Sequence, residues 1–171
     1  MVERKPMWFG ASVDPDPPSG AADLESWVAP HLPVLVALAE RQVGRGAAGD
    51  VVQETLIRAW RRRATFQPER GSARAWLIAI MLDQARRHRL RRRPAYLSPH
   101  ASVQPPDGSR LDMERAIRQL SRRQREVVTL HYLADLPVSE VGAVLGITPS
   151  AVKAHLFAAR AKLRALLEEP R

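Results

Sequence analysis

Residues 138–167, VSEVGAVLGITPSAVKAHLFAARAKLRALL, constrain the fold most strongly, because two stretches with helical spacing of apolar residues meet there at a short break. Gly146 can adopt the left-handed conformation that ends a helix, and Thr148 with Pro149 suits the start of the next one. Two short helices joined by a tight glycine turn form a helix-turn-helix. The sequence therefore predicts this motif in the segment.

The second of these helices has an apolar side and a cationic side. One narrow sector of its helical wheel is apolar and is expected to be buried: Val152, Leu156, Ala159 and Leu163. No acidic residue occurs from residue 141 to 167, as insertion between DNA phosphates requires. We expect the cationic side to enter the major groove of DNA, with contacts from Ser150, Lys153, Ala154, His155, Phe157 and Arg160.

A solvated basic surface is the alternative for any single helix of this kind. The preceding helix and the glycine turn favour the DNA-binding interpretation over it. Within the helix, Lys153 ranks above Arg160 as a reader of bases, because arginines at the flank are typical phosphate contacts.

Composition predicts an all-α fold and excludes several classes of function. Leu, Ala and Arg are abundant, and aromatic residues make up 5% of the chain. No cysteine, no paired histidine spacing, no carboxylate cluster with metal-ligand spacing and no glycine-rich loop occurs, so we expect no metal, no cofactor and no enzyme activity. No apolar run approaches the roughly 20 residues that span a bilayer, so we expect a cytoplasmic protein without membrane insertion.

The net charge of +9 predicts a polyanionic partner and is divided between two blocks. We expect a helical bundle over residues 24–93 and the helix-turn-helix domain over residues 112–171. The stretch 94–111 contains four prolines and predicts a flexible linker. Residues 1–23, which include DPDPPSG, predict a disordered tail.

Capping residues predict where several helices begin. In the first block, Asp50 suits the start of an amphipathic helix, after Gly44 and Gly46 end the one before it, and Ser72 suits the start of a long arginine-rich helix. In the second block, helices are expected to begin at Asp112 and Ser121. Trp60 and Trp76 each lie beside an apolar face, which favours a core position for both rings.

Two motifs in this order resemble the bacterial extracytoplasmic-function sigma factors, the small two-domain class of promoter-recognition subunits of RNA polymerase. DVVQETLIRAWRRRATFQPERGSARAWLIAI is similar to the second conserved region of that family. LSRRQREVVTLHYLADLPVSEVGAVLGITPSAVKAHLFAARAKL is similar to its fourth region. The resemblance runs from about Leu24 to Leu167 and covers both basic blocks.

The resemblance implies core RNA polymerase and promoter DNA as partners, and leaves open an anti-sigma factor as a third. The polymerase-binding residues implied are Asp50, Gln53, Glu54 and Arg58. The residues implied for the unpaired strand of the start-proximal promoter element are Arg62, Arg63, Phe66, Arg74, Asp83, Arg86 and Arg87. An extruded base is expected in a pocket near Phe66, while the helix-turn-helix would bind the upstream element.

Several positions depart from the pattern of the family. Asp83 stands where asparagine is usual, Arg87 where aspartate is common, and His155 where arginine is frequent. A carboxylate that faces single-stranded DNA is repulsive unless a neighbouring cation neutralises it, and Arg86 or Arg87 is placed to do so.

Two other functions compete with this interpretation. A helix-turn-helix regulator could bind duplex DNA without being a polymerase subunit, although the first block lacks the strand-helix alternation of a receiver domain. An enzyme acting on nucleic acid is disfavoured, because the five histidines are scattered.

Overall fold

Every regular element that the computed structural model describes, over residues 21–91 and 108–168, is helical. The predicted all-α class is therefore confirmed. The chain divides into two compact units, Met1–His100 and Ala101–Arg171. Among the described residues no single helix is long and apolar enough to cross a membrane, and only a helix pair bent by 104° meets that length and composition together.

The described part of the first unit contains four α-helices: α1 (Ala21–Val28), α2 (Leu32–Val43), α3 (Arg45–Arg62) and α4 (Ala73–Arg91). Helices α2, α3 and α4 contact one another. Their shared core holds the fully buried side chains of Leu35, Leu38, Leu77, Ile78 and Met81. This packing fixes the relative positions of α3 and α4, which carry most of the residues implied for polymerase and single-strand binding.

Helix α3 begins earlier than the sequence predicts. Gly44, at φ +82°, separates it from α2, whereas Gly46 lies inside α3 rather than ending a helix. Asp50 is an exposed residue within the helix, so its assignment as the capping residue is wrong. Burial of Ala47 against the core stabilises the added turn and outweighs the low helix propensity of the glycines.

An aromatic cluster closes the first unit. The ring of Trp27 lies 5.4 Å from that of Phe66 and 6.0 Å from that of Trp76, and Phe66 and Trp76 are 5.5 Å apart. The cluster ties α1 and the loop after α3 to α4. Trp27 and Phe66 are 7% and 5% exposed, so these rings belong to the core.

The second unit contains α5 (Gly108–Gln119), α6 (Arg122–Val128), α7 (Val138–Leu145) and α8 (Pro149–Glu168). Ser121 begins α6 as predicted, and with Gln124 it forms a reciprocal capping box. Helix α5 begins before Asp112, because its first turn tolerates poor helix formers whose N–H groups need no intrahelical partner.

The helix-turn-helix is present as predicted. Gly146 ends α7 in the left-handed conformation at φ 66° and ψ 35°, and Thr148 Oγ1 accepts a hydrogen bond from the Ala151 N–H at 3.2 Å. Val152, Leu156 and Ala159 are buried as predicted, whereas Leu163 is only half-buried.

The predicted tail and linker fall mostly on residues 1–20 and 92–107, which lie outside the described residues. Residues 21–23, assigned to the tail, are helical in α1, where two alanines favour a helix. Residues 108–111, assigned to the linker, form the first turn of α5.

Candidate nucleic-acid interface

Helix α8 presents a cationic, acid-free face to solvent. Lys153, Ala154 and Arg160 are exposed, and Phe157 is 76% exposed, while His155 is half-buried. Ser150 lies exposed in the first turn. The small side chain of Ala154 between these residues lets a groove approach the helix backbone closely.

The basic side chains of this face differ in how they are held. The Arg160 Nε donates to the Tyr132 hydroxyl at 2.6 Å, and Lys162 Nζ donates to the Gln119 carbonyl at 2.6 Å. Lys153 has no hydrogen bond or ion pair with any other residue that the structure describes. Among these three side chains, Lys153 is therefore the one that the described residues leave without a partner, and its role as a base contact stays a prediction.

A groove between α3 and α4 forms a second candidate surface, on the first unit. Its lining combines cations, apolar side chains, one aromatic ring and one carboxylate: Arg58, Arg62, Trp76, Ala79, Ile80 and Asp83. Arg58 is half-buried, and its Nε atom is buried without a hydrogen-bond partner among the described residues. Such a desolvated donor favours an acceptor from outside the chain.

The carboxylate of Asp83 is neutralised by both arginines that the sequence placed beside it. Arg87 Nε donates to Asp83 Oδ2 at 2.8 Å, and an Arg86 amino nitrogen lies 3.5 Å from Oδ1. The hydrogen bond from Arg87 lowers the pKa of Asp83 most, and the charges of both arginines lower it further against the opposing effect of burial. The acid therefore stays ionised without presenting an uncompensated negative charge to a strand.

Two other residues implied for the unpaired strand serve the fold. Phe66 is buried in the aromatic cluster, so its ring is not available to line an open pocket, and the groove takes its aromatic wall from Trp76 instead. The Arg63 guanidinium lies 3.9 Å from the centre of the Trp60 ring and donates to the Trp60 carbonyl at 3.0 Å. Arg74 is half-buried at the start of α4.

The residues implied for polymerase binding separate into two groups. Asp50, Gln53 and Glu54 are exposed along α3, and Ile57, 38% exposed, follows them at helical spacing. Arg58 instead lines the groove beside Trp76. Within the described residues Arg58 makes no ion pair with Glu54.

Sequence reasoning missed Tyr132, Ala79 and Ile80. Tyr132 and Arg160 lie 28 residues apart, and only the packing of the second unit brings them together. Ala79 and Ile80 are residue types that are common in any helical core, so the sequence does not mark them as part of a site. Only the gap between α3 and α4 shows that they line a groove. Together the two surfaces define a helix-turn-helix protein with a second, separate unit that carries a cationic groove.

Comparison with known proteins agrees with this class. A family model described as Sigma-70 region 2 matches residues 27–94, and another described as Sigma-70, region 4 matches residues 110–163. The ECF RNA polymerase sigma factor SigL of Mycobacterium tuberculosis is 32% identical, covering 81% of this chain and 85% of SigL. RNA polymerase sigma factor CarQ of Myxococcus xanthus is 33% identical, covering 88% of this chain and 92% of CarQ.

A solved structure shows the same relationship. The sigma factor RpoE from Bartonella quintana, in complex with the anti-sigma factor NepR, superposes with a TM-score of 0.67 at 25% identity, covering 88% of this chain and all of RpoE. The chain belongs to the extracytoplasmic-function group of the sigma-70 family, the RNA polymerase sigma factors. A regulator that binds duplex DNA without polymerase is not favoured by these matches.

Proposed function

We propose that this sigma factor binds core RNA polymerase in the cytoplasm, reads an upstream promoter element with α8, and holds an unpaired strand of the start-proximal element in the groove between α3 and α4. The observation that carries the proposal is that one chain combines a helix-turn-helix with a separate cationic groove. The protein contributes binding energy and no chemistry of its own.

The upstream contact depends on the exposed face of α8. Lys153 can reach a guanine edge or a phosphate, and the Phe157 ring can touch a thymine methyl. Tyr132 orients Arg160 by accepting its Nε hydrogen bond, which fixes a phosphate-binding cation at the edge of the helix. Contacts with the DNA phosphates position the helix, and contacts of Lys153 and Phe157 with base edges provide the sequence preference.

The start-proximal contact depends on differential affinity. Unstacking a base costs a few kcal/mol, and the groove offsets this cost because it binds an extruded base and its phosphates only when the duplex is open. Trp76 is half-buried rather than fully in the core as expected, so it offers an aromatic surface for stacking, and Arg58 and Arg62 offer charge to the phosphates. Promoter opening is then a population shift toward the open strand.

Polymerase docking uses the exposed polar residues of α3. Asp50, Gln53 and Glu54 give this surface an acidic and hydrogen-bonding character that the groove residues lack. An anti-sigma factor is a further proposed partner, supported by the solved complex of RpoE with NepR. Such a partner would compete for the surfaces that bind polymerase.

Lys153→Ala tests the upstream contact. Reconstitution with core polymerase, followed by sequencing of transcript starts, should show defined initiation by the wild type. The substitution should weaken upstream-element preference by about tenfold, because one base contact contributes about 1–3 kcal/mol. Arg118→Ala removes another exposed charge, on α5, and should leave promoter choice unchanged. Unchanged promoter selection by Lys153→Ala would remove this residue from the proposal.

Asp50→Ala combined with Glu54→Ala tests the docking surface. Both side chains are exposed, so the fold should remain intact while the affinity for core polymerase falls by about tenfold or more. Fluorescence anisotropy of the labelled protein with core polymerase measures the change. Glu25→Gln, on α1, is the matched control. Undiminished association of the double variant would contradict the docking assignment.

A further inference from the structure

We infer that Asp83 determines which base the groove accepts, and that it favours a base with an exocyclic amino group and disfavours thymine. This inference rests on the proposed function, since it concerns the base that the groove would bind. The ion pairs of Asp83 with Arg86 and Arg87 would by themselves indicate only a structural role for this residue. The inference adds a role in base specificity.

The inference starts from the position of Asp83, which lines the groove where a base would bind. Asp83 lies on α4 beside the apolar lining formed by Ala79 and Ile80, and its side chain is 32% exposed. Arg58 and Arg62 line the groove from α3. A flat base with flanking phosphates matches this arrangement, because the phosphates meet the guanidinium groups while the ring lies against the apolar side.

The hydrogen-bonding capacity of Asp83 carries the second step. An ionised carboxylate only accepts hydrogen bonds, and its two oxygens provide about four acceptor sites. Arg87 occupies one site on Oδ2 and Arg86 lies near Oδ1, so both oxygens keep capacity for another donor. The arginines hold the carboxylate in place and keep it ionised, but they do not saturate it.

The chemistry of the four bases carries the third step. Cytosine, adenine and guanine each have an exocyclic amino group, which can donate to a carboxylate. Thymine has carbonyl oxygens in those positions, and its one ring donor, N3–H, lies between them. A carboxylate placed to accept from an exocyclic amino group therefore faces a carbonyl oxygen of thymine, which leaves both acceptors without a donor. The groove should therefore reject thymine more strongly than it distinguishes among the other three bases.

The experiment uses the reconstituted holoenzyme and a promoter library in which the start-proximal element is randomised. Sequencing of transcripts should show one position at which thymine is depleted about tenfold, in line with the discrimination of a single well-placed contact. Asp83→Asn keeps the side-chain shape and an acceptor for Arg87 but also provides an amide donor. This variant should reduce the depletion to about threefold or less, while Glu25→Gln should leave it at the wild-type level.

A second measurement uses only the wild type, so it does not depend on how the variant folds. Placing a doubly N-methylated cytosine at the same position removes both amino hydrogens and should reduce initiation about as much as thymine does. Equal thymine depletion in wild type and Asp83→Asn, or full activity with the methylated base, would overturn the inference and leave the proposed function standing. Absence of any defined initiation by the wild type would instead overturn the proposed function.

Discussion

The helix-turn-helix and the groove of the first unit differ in how their residues come together. The turn between α7 and α8 is specified by neighbours in the chain, since Gly146 and Thr148 are two residues apart. The groove joins Arg58 to Asp83 across 25 positions of sequence and depends on the packing of α3 against α4. Local motifs can be identified from sequence, whereas the second surface requires the tertiary fold.

The two surfaces also use charge differently. On α8, Lys153 is exposed and has no partner among the described residues. On α4, Arg86 and Arg87 are paired with the carboxylate of Asp83. In the proposed function, duplex reading would rely on an unpaired cation, whereas the groove would place an acid paired with two arginines beside the bound base.

Two phenylalanines give the largest expected contrast between the units. Phe66→Ala should lower the free energy of unfolding of the first unit by about 3–5 kcal/mol, because it removes the centre of the aromatic cluster. Phe157→Ala should change that of the second unit by no more than about 0.5 kcal/mol, because its ring is exposed. Urea denaturation followed by circular dichroism and tryptophan fluorescence measures both. Comparable losses would contradict the assignment of Phe66 to the core and Phe157 to the DNA surface.

The same substitution, glycine to alanine, is expected to have opposite effects on the stability of the two units. At Gly142, an added Cβ would lie 2.8 Å from the backbone oxygen of Ile147, so Gly142→Ala should destabilise the turn by about 1–3 kcal/mol. At Gly49, inside α3, an added Cβ meets nothing within 4 Å. Gly49→Ala should therefore stabilise the first unit by about 0.5–1 kcal/mol.

Thermal denaturation of the two glycine variants measures these changes, and upstream-element binding should fall only for Gly142→Ala. A neutral result for Gly142→Ala would show that α7 and α8 can separate without loss of the motif. The two stability changes are expected to have opposite signs, because backbone lies close to Gly142 and open space surrounds Gly49.

The smallest expected effect concerns pH. Because the arginines lower the pKa of Asp83 in the folded state, its ion pairs stabilise the fold above the unfolded pKa of about 3.9, and this stabilisation is lost as pH falls through the lower folded value. The difference in Tm between wild type and Asp83→Asn should stay constant from about pH 7 to pH 5 and shrink below about pH 4. The corresponding difference in the free energy of unfolding should stay below about 1 kcal/mol, since the pair is partly exposed. A difference that grows on acidification would contradict the ion-pair geometry.

The parts of the fold that the sequence predicted are those set by local chemistry. Capping by Ser72 and Ser121, the left-handed Gly146 and the buried side of α8 were all visible in the residue pattern. Phe66 was misassigned to an open pocket, because a single aromatic residue in a polar loop gives no sign of partners 39 residues before it and 10 after it. The start of α3 was missed, because burial of two alanines outweighed the helix-breaking tendency of the glycines.

The role of Gly142 was also beyond the sequence pattern. Its importance arises from the approach of the Ile147 carbonyl, which depends on the angle between α7 and α8. Tyr132 likewise gains a role only through the distant Arg160. Both contacts depend on how the helices of the second unit pack, and such packing decides how each predicted residue is held.

Start-site mapping on promoters with separately mutated elements tests most directly whether both units act on one promoter. With wild-type protein and core polymerase, mutation of either the upstream or the start-proximal element should reduce initiation, and Lys153→Ala should weaken the dependence on the upstream element alone, by about tenfold. If one element accounted for all initiation, or if Lys153→Ala removed dependence on both elements together, the division of labour between α8 and the α3–α4 groove would be contradicted.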